Sequence, residues 1–549
     1  MTEVLWVAAA LAVGGLPWAI QSGRRLLRSL HILQLEGYEG SRFLRWIGGD
    51  LRRLAPVGLI GLTVLWGLAT GLVALGVAAS AALATLGLLW AVLGVATIRR
   101  TPSGPAKKPL VVTPRALAVL AVAATLWLLV VVGMSTILAA SRGGDLAGLA
   151  LCVAVGVAVA EALTPALIPV ANLVLYPVQA AAKAVVVRAA RAKLRRSRVR
   201  VIGITGSYGK TSTKEILYTL LATRYRVLKT PESYNTPLGI SKVILRQLRP
   251  DHEFFVVEMG AYGRGEIRRL CGIARPEVGI LTAVNPQHLE RFKSVENIAA
   301  AKYELIEALP AHGVAIFNND NAWCRQLADR TAVRVVRYGL QDDAQADLVA
   351  KDIRVTRRGL TFRLEAREQG QADFQVRLLG QHNASNVVAA TAAALACGMT
   401  LEQVARAAES VEPVPHRLQP IDGAGGVTIV DDAYNSNPDG ARAALEVLRQ
   451  FADGRKVLVT PGMIELGERE AAENYALGQL AAGVCDTVIL VGPRRTTPIR
   501  EGLLSAGFPP DEIQVVRSVG EVPALLQSLV GPGDVVLFEN DLPDNYSEE

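Results

Sequence analysis

Cysteine is scarce in this chain, and no two cysteines form a Cys-x-x-Cys pair. Cys152, Cys271, Cys324, Cys397 and Cys485 stand far apart. That spacing argues against a disulfide framework and a thiolate zinc site, fits a reducing compartment, and leaves the five as small buried apolar residues. Charge is scarce too, at 20% of 549 residues against 51% hydrophobic. The shortage is local. No Asp, Glu, Lys or Arg stands between Leu54 and Ile98, whereas beyond about residue 200 the composition is that of an ordinary soluble protein. The net charge of +8 raises nucleic acid as a partner. Much of that excess flanks apolar segments, where membrane topology accounts for it, so no nucleic acid is expected.

The apolar runs fill the first 180 residues. Val4 to Ile20, about 17 residues, is at the lower limit for a bilayer-crossing helix. Its positive charges (Arg24, Arg25, Arg28) lie on the far side and no small-residue cleavage site follows, which speaks against a signal peptide. Leu54–Ile98 has room for two spans joined near Gly76–Ser80, Leu117–Ala140 is a fourth, and Leu146 to about Val178 a fifth, broken by Pro165, Pro169 and Pro177. Arg and Lys crowd the segments after the first, third and fifth runs and are almost absent from the opposite connections. The positive-inside rule then predicts about five spans, an outside N-terminus and a cytoplasmic remainder on a plasma-membrane protein. Glu161, the acid within the fifth run, is a functional candidate by default, or else an interfacial group on a helix that enters late. Arg188–Arg200 reads as a basic helix on anionic headgroups, or as an orientation signal and linker.

From Val199 strands and helices alternate. Val199–Thr205, Phe254–Met259, Val278–Val284 and Val314–Phe317 read as strands, with helices after the first, second and third. This pattern predicts a mainly parallel α/β sheet with ligands at the carboxyl ends of its strands. Thr361–Leu364 and Phe374–Leu378 read as antiparallel strands, and Asn386–Cys397 as an Ala-rich helix. Pro413 and Pro415 mark a linker, and a second, Rossmann-like α/β unit follows, with strands at Val427–Val430, Lys456–Thr460, Thr487–Val491, Gln514–Val516 and Val535–Phe538. The expected organisation is an all-α transmembrane domain (1–180), a basic linker (181–198), a central ATP-binding domain (199–412) and a C-terminal domain (413–549).

The stretch with the clearest chemistry is Gly203-Ile-Thr-Gly-Ser-Tyr-Gly-Lys-Thr-Ser-Thr213, between a strand and a helix. Glycines there let backbone N–H groups turn onto phosphate oxygens, Lys210 adds a point charge, and Thr211 offers a hydroxyl to Mg²⁺. The general phosphate-loop spacing would need glycine where Ile204 stands. Tyr208 reads as a packing residue. Glu258 ends a buried strand where a Mg²⁺ ligand for a nucleotide would sit, His288 follows the next strand, and Lys302 lies on the following helix. Taken singly, Glu258 reads as a salt-bridge partner and Lys302 as a solvated helix lysine; taken with the loop they form an ordered set. His252 and His312 lack a motif and read as surface groups.

These residues, with Ser233-Tyr-Asn-Thr-Pro-Leu-Gly-Ile240, His382-Asn383, Asn386, His416-Arg417, Asp431-Asp-Ala-Tyr-Asn-Ser-Asn-Pro438 and Gly462-Met-Ile-Glu-Leu-Gly467, resemble the Mur ligase family in family order. The resemblance is strongest to the branch that adds D-alanyl-D-alanine to a UDP-muramoyl tripeptide, and its own loop spacing accounts for Ile204. It implies an ADP-forming ligase that phosphorylates a carboxylate with ATP and lets an amine attack the acyl phosphate. By the same resemblance Gly206, Ser207, Gly209, Lys210, Thr211 and Ser212 hold phosphates, and Asn383 and Asn386 lie near adenine. Arg417, Asp432 and Asn435 complete the nucleotide site from the C-terminal side. Thr211 and Glu258 bind one Mg²⁺, and His288 helps bind a second; Lys302, carbamylated by CO₂, is a further metal ligand. Lys210, His288 and Lys302 are the implied catalytic set.

Two departures bear on substrate. The apolar region stands where the family has a small domain gripping the UDP-sugar, and Leu537–Tyr546 lacks the lysine-and-glycine segment expected near the incoming dipeptide. The acceptor is therefore a nucleotide- or lipid-linked cell-wall precursor, and the donor an amino acid or a dipeptide. The alternatives are a membrane-bound ligase for another polymer such as polyglutamate, and a transporter or scaffold with a regulatory nucleotide-binding domain.

Overall fold

The structure, a computed structural model, describes residues 20–48, 92, 109–142, 146–231, 234–286, 289–356, 359–434, 436–451, 453–464 and 466–541. Apart from Ile20 and Val92, the expected first three spans lie outside the described residues, as do His288 and Asn435. The chain divides into two compact units between Ala182 and Lys183.

In the first unit every described element is helical. Residues 20–35 and Gly40–Gly48 pack Leu30, Leu33 and Phe43 into a core with Val119, Ala123 and Ile168. Arg24, Arg25 and Arg28, expected in a loop between spans, lie on the helix 20–35. Two described segments, Pro114–Ala140 and Val155–Val174, are long and apolar enough to cross a bilayer by length and composition, with mean hydropathies of 2.6 and 1.7. They belong to helices Pro114–Arg142 and Leu146–Val174. The expected breaks at Pro165 and Pro169 do not occur; the interruption comes at Leu175, and Tyr176–Arg196 starts a new helix with Pro177 in its first turn. A proline frees the carbonyl four residues before it. For Pro165 that carbonyl belongs to Glu161, and Arg25 Nη1 donates to it at 2.9 Å and to Glu161 Oε1 at 2.8 Å. Ser22 Oγ donates to the other carboxylate oxygen. Glu161 is thus fully buried and paired.

The second unit holds two sheets. The larger is built on β1 (Arg200–Thr205), β2 (Val227–Lys229), β3 (Phe254–Glu258), β4 (Val278–Leu281), β5 (Val314–Asn318) and β6 (Arg334–Gly339), parallel to one another in the order β2-β3-β1-β4-β5-β6. β7 (Leu348–Thr356), β8 (Gly359–Ala366) and β9 (Gly370–Val376) follow in that order, β8 antiparallel to both its neighbours. β3 and β4 are buried throughout, as parallel strands covered on both faces must be. Helices Lys210–Ala222 and Gln381–Ala396 cover one face; the alanines at 384, 389, 390 and 392–394 are buried and let the second helix approach closely. Pro237–Gln247, Glu266–Ala274 and Val295–Glu307 cover the other face. Ala190 and Leu194 of Tyr176–Arg196 join that second core, and Lys193 Nζ donates to Leu245 O at 2.9 Å, so the basic stretch packs on this domain. Arg200, read as part of that basic helix, lies instead in β1.

The smaller sheet comprises β10 (Gln419–Asp422), β11 (Thr428–Asp432), β12 (Lys456–Thr460), β13 (Thr487–Val491), β14 (Ile513–Val516) and β15 (Val535–Glu539), in the order β10-β11-β15-β12-β13-β14. Only β10 is antiparallel in this sheet. The last strand inserts beside β11, which makes Asp432 and Glu539 register partners.

Candidate active site

β1 ends at Thr205, and residues 206–209 turn the chain into helix Lys210–Ala222. Two glycines are required by close approach. A β-carbon on Gly206 would lie 1.9 Å from Thr282 Oγ1, and one on Gly209 would lie 2.4 Å from Asn386 Oδ1, where φ is also +79°. The loop is tied to the next strand: Ser207 N donates to Ala283 O at 2.8 Å, and Thr282 Oγ1 donates to Tyr208 O at 2.5 Å. Ser207 Oγ and Asn285 exchange hydrogen bonds of 3.0 and 2.9 Å. Burial, with smaller contributions led by Asp439, pushes the Tyr208 phenol up to about 12.

A cavity of about 490 Å³ opens on this loop. Gly206, Ser207, Gly209, Lys210, Thr211, Ser212, Glu258, Lys302, Asn383, Asn386, Arg417 and Asp432 all line it, so every site residue expected from sequence that the structure describes meets in one place. Thr211 Oγ1 donates to Glu258 Oε2 at 2.9 Å, which sets a hydroxyl beside a carboxylate at the end of β3. These are two hard oxygen donors at a phosphate loop, a set that suits Mg²⁺ shared with a nucleotide's phosphates. Lys210 Nζ donates to Gly206 O at 2.7 Å and Ser207 O at 3.2 Å. Burial, opposed by Glu258 and aided by Arg417, lowers its ammonium to about 8.

Lys302 is 5% exposed, which overturns the solvated-lysine reading of that residue. Burial, and then the charge of Lys210, hold its ammonium well below 10.5. Glu258 fulfils its single-residue reading as well, because buried Lys214 lies 3.4 Å from its Oε2. Asn383 and Asn386 are buried and linked, Asn386 Nδ2 donating to Asn383 Oδ1 at 2.9 Å. From the C-terminal domain, Arg417 stacks 4.4 Å from the centre of the Tyr434 ring. Asn285 Nδ2 donates to Asp439 of helix Pro438–Arg449, a bond between the two domains.

Sequence reasoning missed several participants. Lys214 was one position beyond the loop motif; Asp439 and Glu539 belong to no motif in the reading. His382, to which the family resemblance assigns no role, lines the cavity, and burial lowers its imidazole to about 4. All five cysteines are buried and free, as expected from their spacing. His312 is exposed, and His252 Nδ1 accepts from Arg249 N.

Comparison with known proteins extends this geometry. Residues 204–394 match the Mur ligase middle domain, and residues 416–539 the Mur ligase, glutamate ligase domain. The UDP-N-acetylmuramoyl-tripeptide--D-alanyl-D-alanine ligase of Mycobacterium bovis is 36% identical over 380 residues, 65% of this chain and 74% of that protein. The chain belongs to the Mur ligase family. Among solved structures, MurF from Acinetobacter baumannii aligns with a TM-score of 0.59 at 28% identity, covering 67% of this chain and 79% of that one. The Mur ligase MurF from Thermotoga maritima, solved in complex with ADP, aligns with a TM-score of 0.59 at 30% identity, covering 65% and 80%. The loop, β3 and the two asparagines fall inside the matched middle domain; Arg417, Asp432 and Glu539 fall inside the matched C-terminal one.

Proposed function

We propose that this chain, an ATP-dependent ligase of MurF type, joins D-alanyl-D-alanine to the tripeptide of a muramoyl cell-wall precursor. The observation that carries the reading is the Thr211–Glu258 pair on the phosphate loop, in the same cavity as buried Lys302. A carboxylate oxygen of the acceptor attacks the γ-phosphorus of ATP, and ADP leaves. The amine then attacks the acyl carbon, loses a proton, and phosphate departs as the amide forms. Such a transfer needs in-line positioning and neutralised charge more than covalent help. Lys210 and the loop N–H groups hold the phosphates, Asn383 and Asn386 flank the base, and Arg417 and Asp432 close the nucleotide site. Thr211 and Glu258 hold Mg²⁺, which neutralises phosphoryl oxygens when bound. Only a neutral amine reacts with CO₂, and burial shifts Lys302 towards that form; its carbamate, with His288, is the proposed set for a second Mg²⁺.

The membrane assignment belongs to the same proposal: five spans, an outside N-terminus and cytoplasmic catalytic domains. Leu128, Leu129, Val132, Ile137, Val170 and Leu173 of the two long apolar helices are exposed, as side chains facing lipid would be. With this region standing in place of a domain that grips the UDP-sugar, a lipid-linked acceptor presented at the bilayer surface is the second reading. Ligase action on another polymer, and a scaffold with a regulatory nucleotide domain, are the competing assignments.

Incubating the full chain with ATP, Mg²⁺, labelled D-alanyl-D-alanine and either UDP-linked or lipid-linked precursor, then weighing the products, tests the ligase assignment and the acceptor. ADP release that needs both acceptor and amine is expected. Equal release without either would defeat the ligase assignment.

A further inference from the structure

Lys214, in the second turn of helix Lys210–Ala222, is fully buried, and the reaction above gives it no part. Its Nζ lies 3.4 Å from Glu258 Oε2 and 3.4 Å from Glu215 Oε1. Glu215 is held in turn by Lys229 of β2, whose Nζ sits 4.1 Å from the centre of the Tyr218 ring. Four charges of alternating sign therefore run from the edge of the sheet to the phosphate loop, and they cancel in sum. Burying an ammonium is costly, and a whole buried ion pair can often be replaced by well-packed apolar side chains with no loss of stability, so the pairing is weak evidence for a purely stabilising role. What Lys214 adds is direction. Glu258 is gripped from several sides: Lys214 and Thr211 Oγ1 on Oε2, and Asn235 Nδ2 on Oε1 at 3.5 Å. Its own N–H donates to Thr230 Oγ1 at 3.1 Å.

We infer that Lys214 is a positioning residue: held between Glu215 and Glu258, it fixes the carboxylate oxygen facing Thr211, so that the nucleotide's divalent cation meets a preformed oxygen pair. This rests on the proposed role of Thr211 and Glu258. Partners behind a ligating carboxylate typically change metal affinity by about 10- to 100-fold when removed. Lys214→Met in the full chain is therefore expected to weaken Mn²⁺ binding in the presence of ADP by about that factor, read by electron paramagnetic resonance. Metal-free ADP binding should move by less than about twofold, since Lys214 does not line the nucleotide cavity.

A double-mutant cycle separates positioning from mere stability. If Lys214 acts through Glu258, adding Lys214→Met to Glu258→Gln costs no further Mn²⁺ affinity. Losses that multiply, or a Lys214→Met protein with parental Mn²⁺ affinity, overturn the inference. Where Lys214→Met does not fold, Glu215→Gln loosens the same lysine from its far side and should weaken Mn²⁺ by roughly three- to tenfold; unchanged affinity there overturns it as well. A parent protein that binds Mn²⁺ with ADP but forms no amide sinks the ligase assignment and leaves Lys214's role standing. One that binds no Mn²⁺ with ADP sinks both.

Discussion

The amide oxygen of Asn386 occupies the place where a β-carbon on Gly209 would go, 2.4 Å from that ideal position. A residue of the Ala-rich helix thus sets the shape of the phosphate loop from behind. Gly209→Ala must displace Asn386 and adopt a positive φ, shifting the loop by a few tenths of an ångström or more. The expected result is a roughly 100-fold fall in kcat/KM for ATP with the fold retained. Steady-state kinetics beside a circular dichroism melt would check it, and near-parental kinetics would refute the geometric argument.

Lys302 is buried beside Lys210. Lys302→Ala should abolish turnover, by about 10³-fold or more, while ADP still binds. Short carboxylates added to the variant should restore part of the rate, and parent enzyme in CO₂-depleted buffer should slow. Retained activity in the variant would remove the carbamate from the scheme.

Glu539 and Asp432 are register partners, and Ser436 Oγ donates to Glu539 Oε1. Burial, then Asp432, raises the Glu539 carboxyl well above its usual range, and burial raises Asp432 too. A carboxyl raised in the folded state binds more protons there than when unfolded. Stability from this pair is therefore full below the unfolded value and lost as pH rises through the folded one. Glu539→Gln mimics the protonated form. It should raise the thermal midpoint by a few degrees at pH 8 and lose that advantage towards pH 4, as scanning calorimetry would show.

Asn285 joins the loop to the second domain, bonded to Ser207 on one side and to Asp439 on the other. Losing a hydrogen bond worth about 1 kcal/mol predicts a roughly fivefold higher KM for ATP in Asp439→Ala. The change should fall on KM more than on kcat if the bond acts by holding the domains closed. A KM within error of the parent would deny Asn285–Asp439 that role.

Much was legible in the chain itself. Strand–loop–helix order, the glycine spacing of the loop and the alternation of apolar strands with helices are local properties. They placed Gly206–Ser212 and Glu258 at neighbouring strand ends and Lys302 on a following helix, because parallel sheets bring their carboxyl ends to one rim. Lys456–Thr460 and Thr487–Val491 matched the observed strands residue for residue. Other features were not local. β2 is only three residues long and β6 is half exposed, so neither gave a pattern to read.

Pairing across distance is what only the tertiary structure decided. The sequence by itself determined that a phosphate loop, an acid and a lysine follow one another in a ligase order. It left Glu258 and Lys302 balanced between a salt bridge, a solvated surface and a site. Packing resolved both: Lys302 is buried in the cavity, and Glu258 meets Lys214 and Thr211 at once. Pro165 was read as a break, yet Arg25, 136 residues away from Glu161 in sequence, donates to the carbonyl that this proline leaves open. Asp432 and Glu539 became partners only because the last strand inserts beside β11. Charge and hydrogen-bond partners are chosen by distance in space, which spacing along the chain does not encode.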